Sequence, residues 1–247
     1  MSSRLKALLN RFSRVAAGLS ADAVIVMLAA SVLLVAYQYN GSSAFFRMKF
    51  MPYISSGAPL RPLYPAFYWY GCSFLLLGLV PYLLMRLVLG FDRRQTGASA
   101  GDWRFGLKAA AGLYLAFLPL LVAASFLPEM RMKYPLYPQA TSSVGAFLAY
   151  EAAYVVYFIG WEFIFRGFLL FGLEPAIGAH SIFVQTIPFA LLHFGKPEIE
   201  SLAAVAAGVI LGWLALRTRS FWYGWLLHSA VAVTNDVLAW MHQVLGW

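Results

Sequence analysis

A chain of 247 residues, 62% hydrophobic and 11% charged, with a mean hydropathy of +0.72, falls outside the composition of soluble domains and reads as an integral membrane protein. The net charge of +8 does not mark a nucleic-acid binder, because Lys and Arg stand at the ends of apolar segments rather than in one patch. A single cysteine, Cys72, excludes an intramolecular disulfide, and the apolar runs leave no room for a separate soluble domain.

Residues 1–22 read as a basic amphipathic helix, with Leu5, Leu8, Leu9, Phe12 and Val15 on one face and Arg4, Lys6, Arg11 and Arg14 around it. Seven apolar runs follow, at 23–39, 66–90, 105–127, 144–173, 177–194, 199–216 and 221–247. A helix needs about 20 such residues to cross a bilayer. None of the runs alternates as barrel strands do. The expected fold is therefore an all-α membrane bundle of about seven transmembrane helices, three within 23–143 and four within 144–247.

The connections at 40–65 and 128–143 are rich in Pro and Tyr and read as interfacial loops, whereas 92–104 is short, polar and basic. With the N-terminus inside, eleven cationic residues gather on the inner side: Arg4, Lys6, Arg11, Arg14, Arg86, Arg93, Arg94, Arg104, Lys108, Arg217 and Arg219. Six fall outside. That asymmetry predicts a cytoplasmic N-terminus.

Ionisable groups at membrane depth cost roughly 2.5–3.5 kcal/mol each on insertion scales, so they face the bundle interior or a water-filled cavity. Ionisable and amide side chains concentrate in the C-terminal part: Glu151, Glu162 and Arg166 in the fourth run, His193 at the end of the fifth, and His228, Asn235, Asp236 and His242 in the seventh. Glu162 and Arg166, four apart, share a helix face and can pair. Taken singly, each of these residues also fits a structural role, as an ion-pair lock, a satisfied interior histidine or polar glue between helices. Together, one carboxylate, one guanidinium, two imidazoles and an amide can activate water and stabilise an oxyanion.

The stretches "WEFIFRGFLLFGL", "FALLHFGKPEIE" and "AAGVILGWLALRTRSFWYGWLLHSAV" resemble the CPBP intramembrane protease family, also called the Abi or CAAX-protease family. Its motifs are Glu-Glu-x-x-x-Arg, Phe-x-x-x-His, and a last His followed four residues later by Asn. Glu162 and Arg166 match the second Glu and the Arg, Phe189 and His193 the second motif, and His228 the last His. Trp161 stands where the family has its first Glu, and Ala232 where it has the Asn. Asn235 is one further turn along and is the expected substitute for that amide.

The resemblance implies a glutamate-dependent endopeptidase, with 144–247 as its catalytic core, acting on a membrane-associated protein or peptide by Glu-activated water with His assistance. The expected catalytic residues are Glu162, Arg166, His193, His228 and Asn235. A divalent metal such as Zn, held by His193, His228 and Glu162, is left open, as is catalysis with no cofactor. The expected setting is the lipid bilayer of a bacterial inner membrane, with no nucleic-acid partner. The competing class is a non-catalytic binding, immunity or scaffold protein that keeps the Glu–Arg pair as a lock.

Overall fold

The computed structural model describes residues 20–245, so the amphipathic segment expected over 1–22 lies almost wholly outside the described residues. Among these residues the regular structure is helical, with one isolated bridge between Phe194 and Lys196. Lipid requires this, because a helix satisfies every backbone donor within itself.

Helix α1, Ala21–Asn40, begins where the Ser20 hydroxyl accepts from the Ala23 N–H and ends at Gly41. Its buried residues Ala23, Val26, Ala30 and Tyr37 form one stripe, while Leu28, Val32 and Val35 stay exposed, as a lipid-facing helix should. The short α2, Ser43–Lys49, packs Phe45, Phe46 and the following Phe50 around Tyr68. Helix α3 runs from Tyr64–Cys72 through a π-helical stretch, Ser73–Leu79, into Val80–Leu87. Pro81, which has no N–H to give, follows that widened turn.

Helix α4, Trp103–Ala124, is capped by the Asp102 carboxylate, and α5, Pro128–Lys133, is a single short turn. Helix α6 is the longest, running from Val144–Glu162 through π-helical Phe163–Leu169 to Leu170–Ile177. At Gly178 the backbone adopts φ 58°, a conformation that favours glycine, and the chain doubles back into α7, Ser181–Leu191. Helices α8, Glu198–Thr218, and α9, Trp222–Leu245, complete the bundle.

Five helical segments among the described residues are long and apolar enough to cross a membrane, the stretch Val144–Leu191 counting as one. Helix α9, with 24 residues and four polar or ionisable groups in the expected site list or beside it, is not among the five. The span expected over 177–194 is corrected: its helix has 11 residues, about 16 Å, against a hydrocarbon core of about 30 Å. Gly178 to His180 are spent on the reversal, and a turn follows Leu191.

In the 18-residue apolar window of the stretch containing α6, 83% of the residues are buried, against 11% in that of α4 and 22% in that of α1, so α6 is the axis of the bundle and the others ring it. It approaches α3 backbone to backbone. A Cβ on Gly160 would lie 2.1 Å from the Ser73 carbonyl oxygen, and the Ser73 hydroxyl donates to the Tyr157 carbonyl at 3.0 Å. Small residues make the α7–α8 contact equally close, with Gly208 and Gly212 against Thr186 and Gln185, whose amide donates to the Gly208 carbonyl at 2.8 Å.

Candidate active site

Four of the five expected residues meet on the buried face of α6. Glu162 ends the first part of that helix and Arg166 lies in the π-helical turn, with Arg166 Nη1 donating to Glu162 Oε1 at 3.1 Å. Both side chains are fully buried. Widened turns of this kind occur often at functional positions, because the extra residue re-aims side chains. His228, from α9, brings Nδ1 to the same Glu162 Oε1 at 2.6 Å. His193 lies just past α7, with Nδ1 2.8 Å from the Phe189 carbonyl.

These contacts fix both tautomers. A carbonyl and a carboxylate only accept, so Nδ1 carries the hydrogen in each ring and Nε2 holds the lone pair when the ring is neutral. The two imidazoles lie nearly parallel, their planes 16° apart and their centroids 6.4 Å apart. Phe189 packs against both, and Phe158 covers His228 at 4.4 Å. The Arg166 guanidinium stands 3.9 Å above the Phe189 ring, so its charge is balanced by a carboxylate on one side and a π face on the other.

Glu162 Oε2 and Arg166 Nε and Nη2 have no hydrogen-bond partner in the protein and are buried. They are the groups of this centre that can meet a water or a peptide carbonyl. Glycine at 224, one turn before His228, makes the approach possible: a Cβ there would sit 2.9 Å from Glu162 Oε2. Neither Gly224 nor Phe158 is singled out by sequence reasoning. The signal for Gly224 is present in "WYGWLLH", a lone glycine among bulky residues four places before a histidine.

Asn235 is not brought to this cluster. Seven residues past His228 is about 10 Å along the helix axis, and the Asn235 side chain lines a separate small cavity with Ser125, Met130, Arg131, Tyr134 and Ala239. Ala232 is buried and offers no donor. Trp161, in the place of the first motif Glu, packs its indole against Tyr37, Tyr157, Phe165 and His193. Asp236 lies near Glu151 of α6, and neither carboxyl group has a hydrogen-bond partner in the protein.

As to a divalent ion, no group of three or more His, Cys, Asp and Glu side chains is gathered in ligand geometry among the described residues. Glu162 Oε1 is already shared by Arg166 and His228.

Fold and site define a polytopic membrane protein with a carboxylate, a guanidinium and two imidazoles converging in its interior. The family described as Rce1-like, type II CAAX prenyl endopeptidase Rce1-like, matches residues 143–234, which run from the cap of α6 to the middle of α9. That segment contains Glu162, Arg166, His193 and His228, and the match supports the resemblance to the CPBP or CAAX-protease family. No curated protein and no solved structure matches the chain.

Proposed function

We propose that the protein is an intramembrane endopeptidase of the CAAX-protease type that hydrolyses a peptide bond in a membrane-associated protein or peptide. The observation that carries this reading is the 2.6 Å contact of Glu162 Oε1 with His228 Nδ1 inside the Rce1-like segment. A carboxylate that holds one ring nitrogen protonated raises the basicity of the other and fixes its aim, as the third member of a hydrolytic triad does.

In this proposal Glu162 acts through His228 as well as directly on water. A water molecule gives its proton to His228 Nε2 while its oxygen attacks the scissile carbonyl carbon. Glu162 Oε2 accepts the second hydrogen of that water and holds it in line, with the His193 ring alongside. The N–H groups of Arg166 that carry no protein partner donate to the developing oxyanion. His228 then returns the proton to the leaving amine as the C–N bond breaks, so the elements of water are divided between the two products. The cytoplasmic N-terminus and the bacterial inner membrane remain parts of the proposal, supported by the eleven-to-six distribution of cationic residues.

A second reading, a non-catalytic membrane scaffold, is favoured by Trp161, whose ring fills the position of the first motif Glu. One experiment separates the two. The protein is reconstituted in lipid vesicles with membrane-anchored peptides, prenylated and unprenylated, and new C-termini are read by mass spectrometry for the wild type and for His228→Ala. Cleavage by the wild type alone is the expected result; absence of any new terminus in the wild type favours the scaffold.

A further inference from the structure

At the opposite end of α8 from His193, the connection between α3 and α4 folds over the turn between α8 and α9. Asp102 N–H donates to the Thr218 carbonyl at 2.9 Å and Phe221 N–H to the Gly97 carbonyl at 3.0 Å. The Trp222 indole donates to the Ala98 carbonyl at 3.0 Å, and the Tyr223 hydroxyl to the Ala100 carbonyl. Gly101, at φ 55°, comes so near that a Cβ would stand 1.8 Å from the Thr218 oxygen. Two main-chain bonds and two side-chain donors to main-chain carbonyls hold this joint.

Beside the joint lies an open cleft of about 730 Å³, with Arg94, Arg217 and Arg219 in its wall against one carboxylate, Asp102. Arg217 meets Asp102 at 3.1 Å in an exposed pair, and Arg219 is held by Glu174 at 2.6 Å. The Arg94 guanidinium forms no salt bridge among the described residues and is exposed. The cleft therefore keeps an excess of positive charge on planar groups suited to phosphate oxygens.

Its depth is marked by neighbouring side chains. Trp103, first residue of α4, is 53% exposed with the Arg104 guanidinium over its ring at 5.5 Å, and Leu107 is exposed one turn further in. Tryptophan next to arginine marks the headgroup level, and the leucine marks the start of the acyl region. Inner-side asymmetry of charge accounts for arginines at this end of the bundle. It does not account for a preformed cleft that holds three of them around a cavity.

We propose that this cleft binds the phosphodiester headgroup of an anionic phospholipid, with Arg94 and Arg217 on the phosphate and the acyl chains running past Trp103 and Leu107. The site is independent of the hydrolytic centre and stands whether or not the chain cleaves peptides. Basic pockets between transmembrane helices recognise anionic headgroups by this chemistry.

The full chain, purified in neutral detergent, is mixed with equal amounts of phosphatidylglycerol and phosphatidylcholine, and bound lipid is counted by native mass spectrometry. The wild type should retain phosphatidylglycerol in preference. Arg94→Gln and Arg217→Gln should each lower that retention about five-fold, the effect of about one surface cation, and leave phosphatidylcholine unchanged. Lys49→Gln, at the end of α2, should have no effect. Arg94→Gln breaks no salt bridge inside the protein, so it decides the matter if Arg217→Gln fails to fold. The proposal is overturned if the wild type shows no preference, if Lys49→Gln lowers retention as much as Arg94→Gln, or if inorganic phosphate in excess removes the lipid completely.

Discussion

Replacing Glu162 by Gln and Arg166 by Met, singly and together, measures what the buried pair contributes. Arg166 donates to Glu162 at 3.1 Å, and neither side chain is exposed. Removing one partner strands the other charge, which costs about 3–5 kcal/mol in buried pairs. The Glu162→Gln cost should lie near the lower end, because the guanidinium keeps its place 3.9 Å over Phe189, an attraction of about 2 kcal/mol when desolvated. Arg166→Met leaves Glu162 with the His228 hydrogen bond alone and should cost more. The double variant strands no charge, so its loss should fall short of the summed single losses by at least about 2 kcal/mol. Unfolding of the three variants in detergent, followed by tryptophan fluorescence, gives the cycle. Additivity within about 0.5 kcal/mol would refute the pair as a coupled unit, and so would single variants as stable as the wild type.

Gly224→Ala puts a methyl group 2.9 Å from Glu162 Oε2, so cleavage should fall by about 10²-fold, the scale of losing one aligned catalytic group, while the unfolding midpoint moves little. Unchanged turnover in the vesicle assay would show that Oε2 does not meet the water. Glu151→Gln supplies an amide donor to Asp236, whose two oxygens, like those of Glu151, have no donor in bonding geometry. The midpoint of thermal unfolding in detergent should rise, and a fall of several degrees would show that the acid pair itself stabilises the contact between α6 and α9.

Much of the bundle was legible from hydropathy because burial in lipid leaves apolar runs of fixed length. The run at 23–39 becomes Ala21–Asn40, and the run at 199–216 becomes Glu198–Thr218. The run at 177–194 misleads for a physical reason: hydropathy counts apolar residues whether they cross the membrane or turn within the bundle, and Gly178 turns here. The i, i+4 pairing of Glu162 and Arg166 follows from helix geometry alone. The meeting of Glu162 with His228, 66 residues away, does not, and only the motif resemblance points to it. The π-helical turn that carries Arg166 leaves no periodic mark in so uniformly apolar a stretch, and the contact of Glu151 with Asp236 depends on the register between two helices.

The spacing of the site's charges also bears on how the chain enters its membrane during synthesis. Glu162 and Arg166 lie in one helix and neutralise each other there, whereas His228 is made 66 residues later. At about 5–20 residues per second that delay is roughly 3–13 s. Helix α6 must enter the bilayer before its last partner exists, with two ionised groups that would cost about 2.5–3.5 kcal/mol each if exposed singly. Closing the ion pair locally lets the axis of the bundle insert first as a nearly neutral rod, and α9 can then add its imidazole to a carboxylate already held in place.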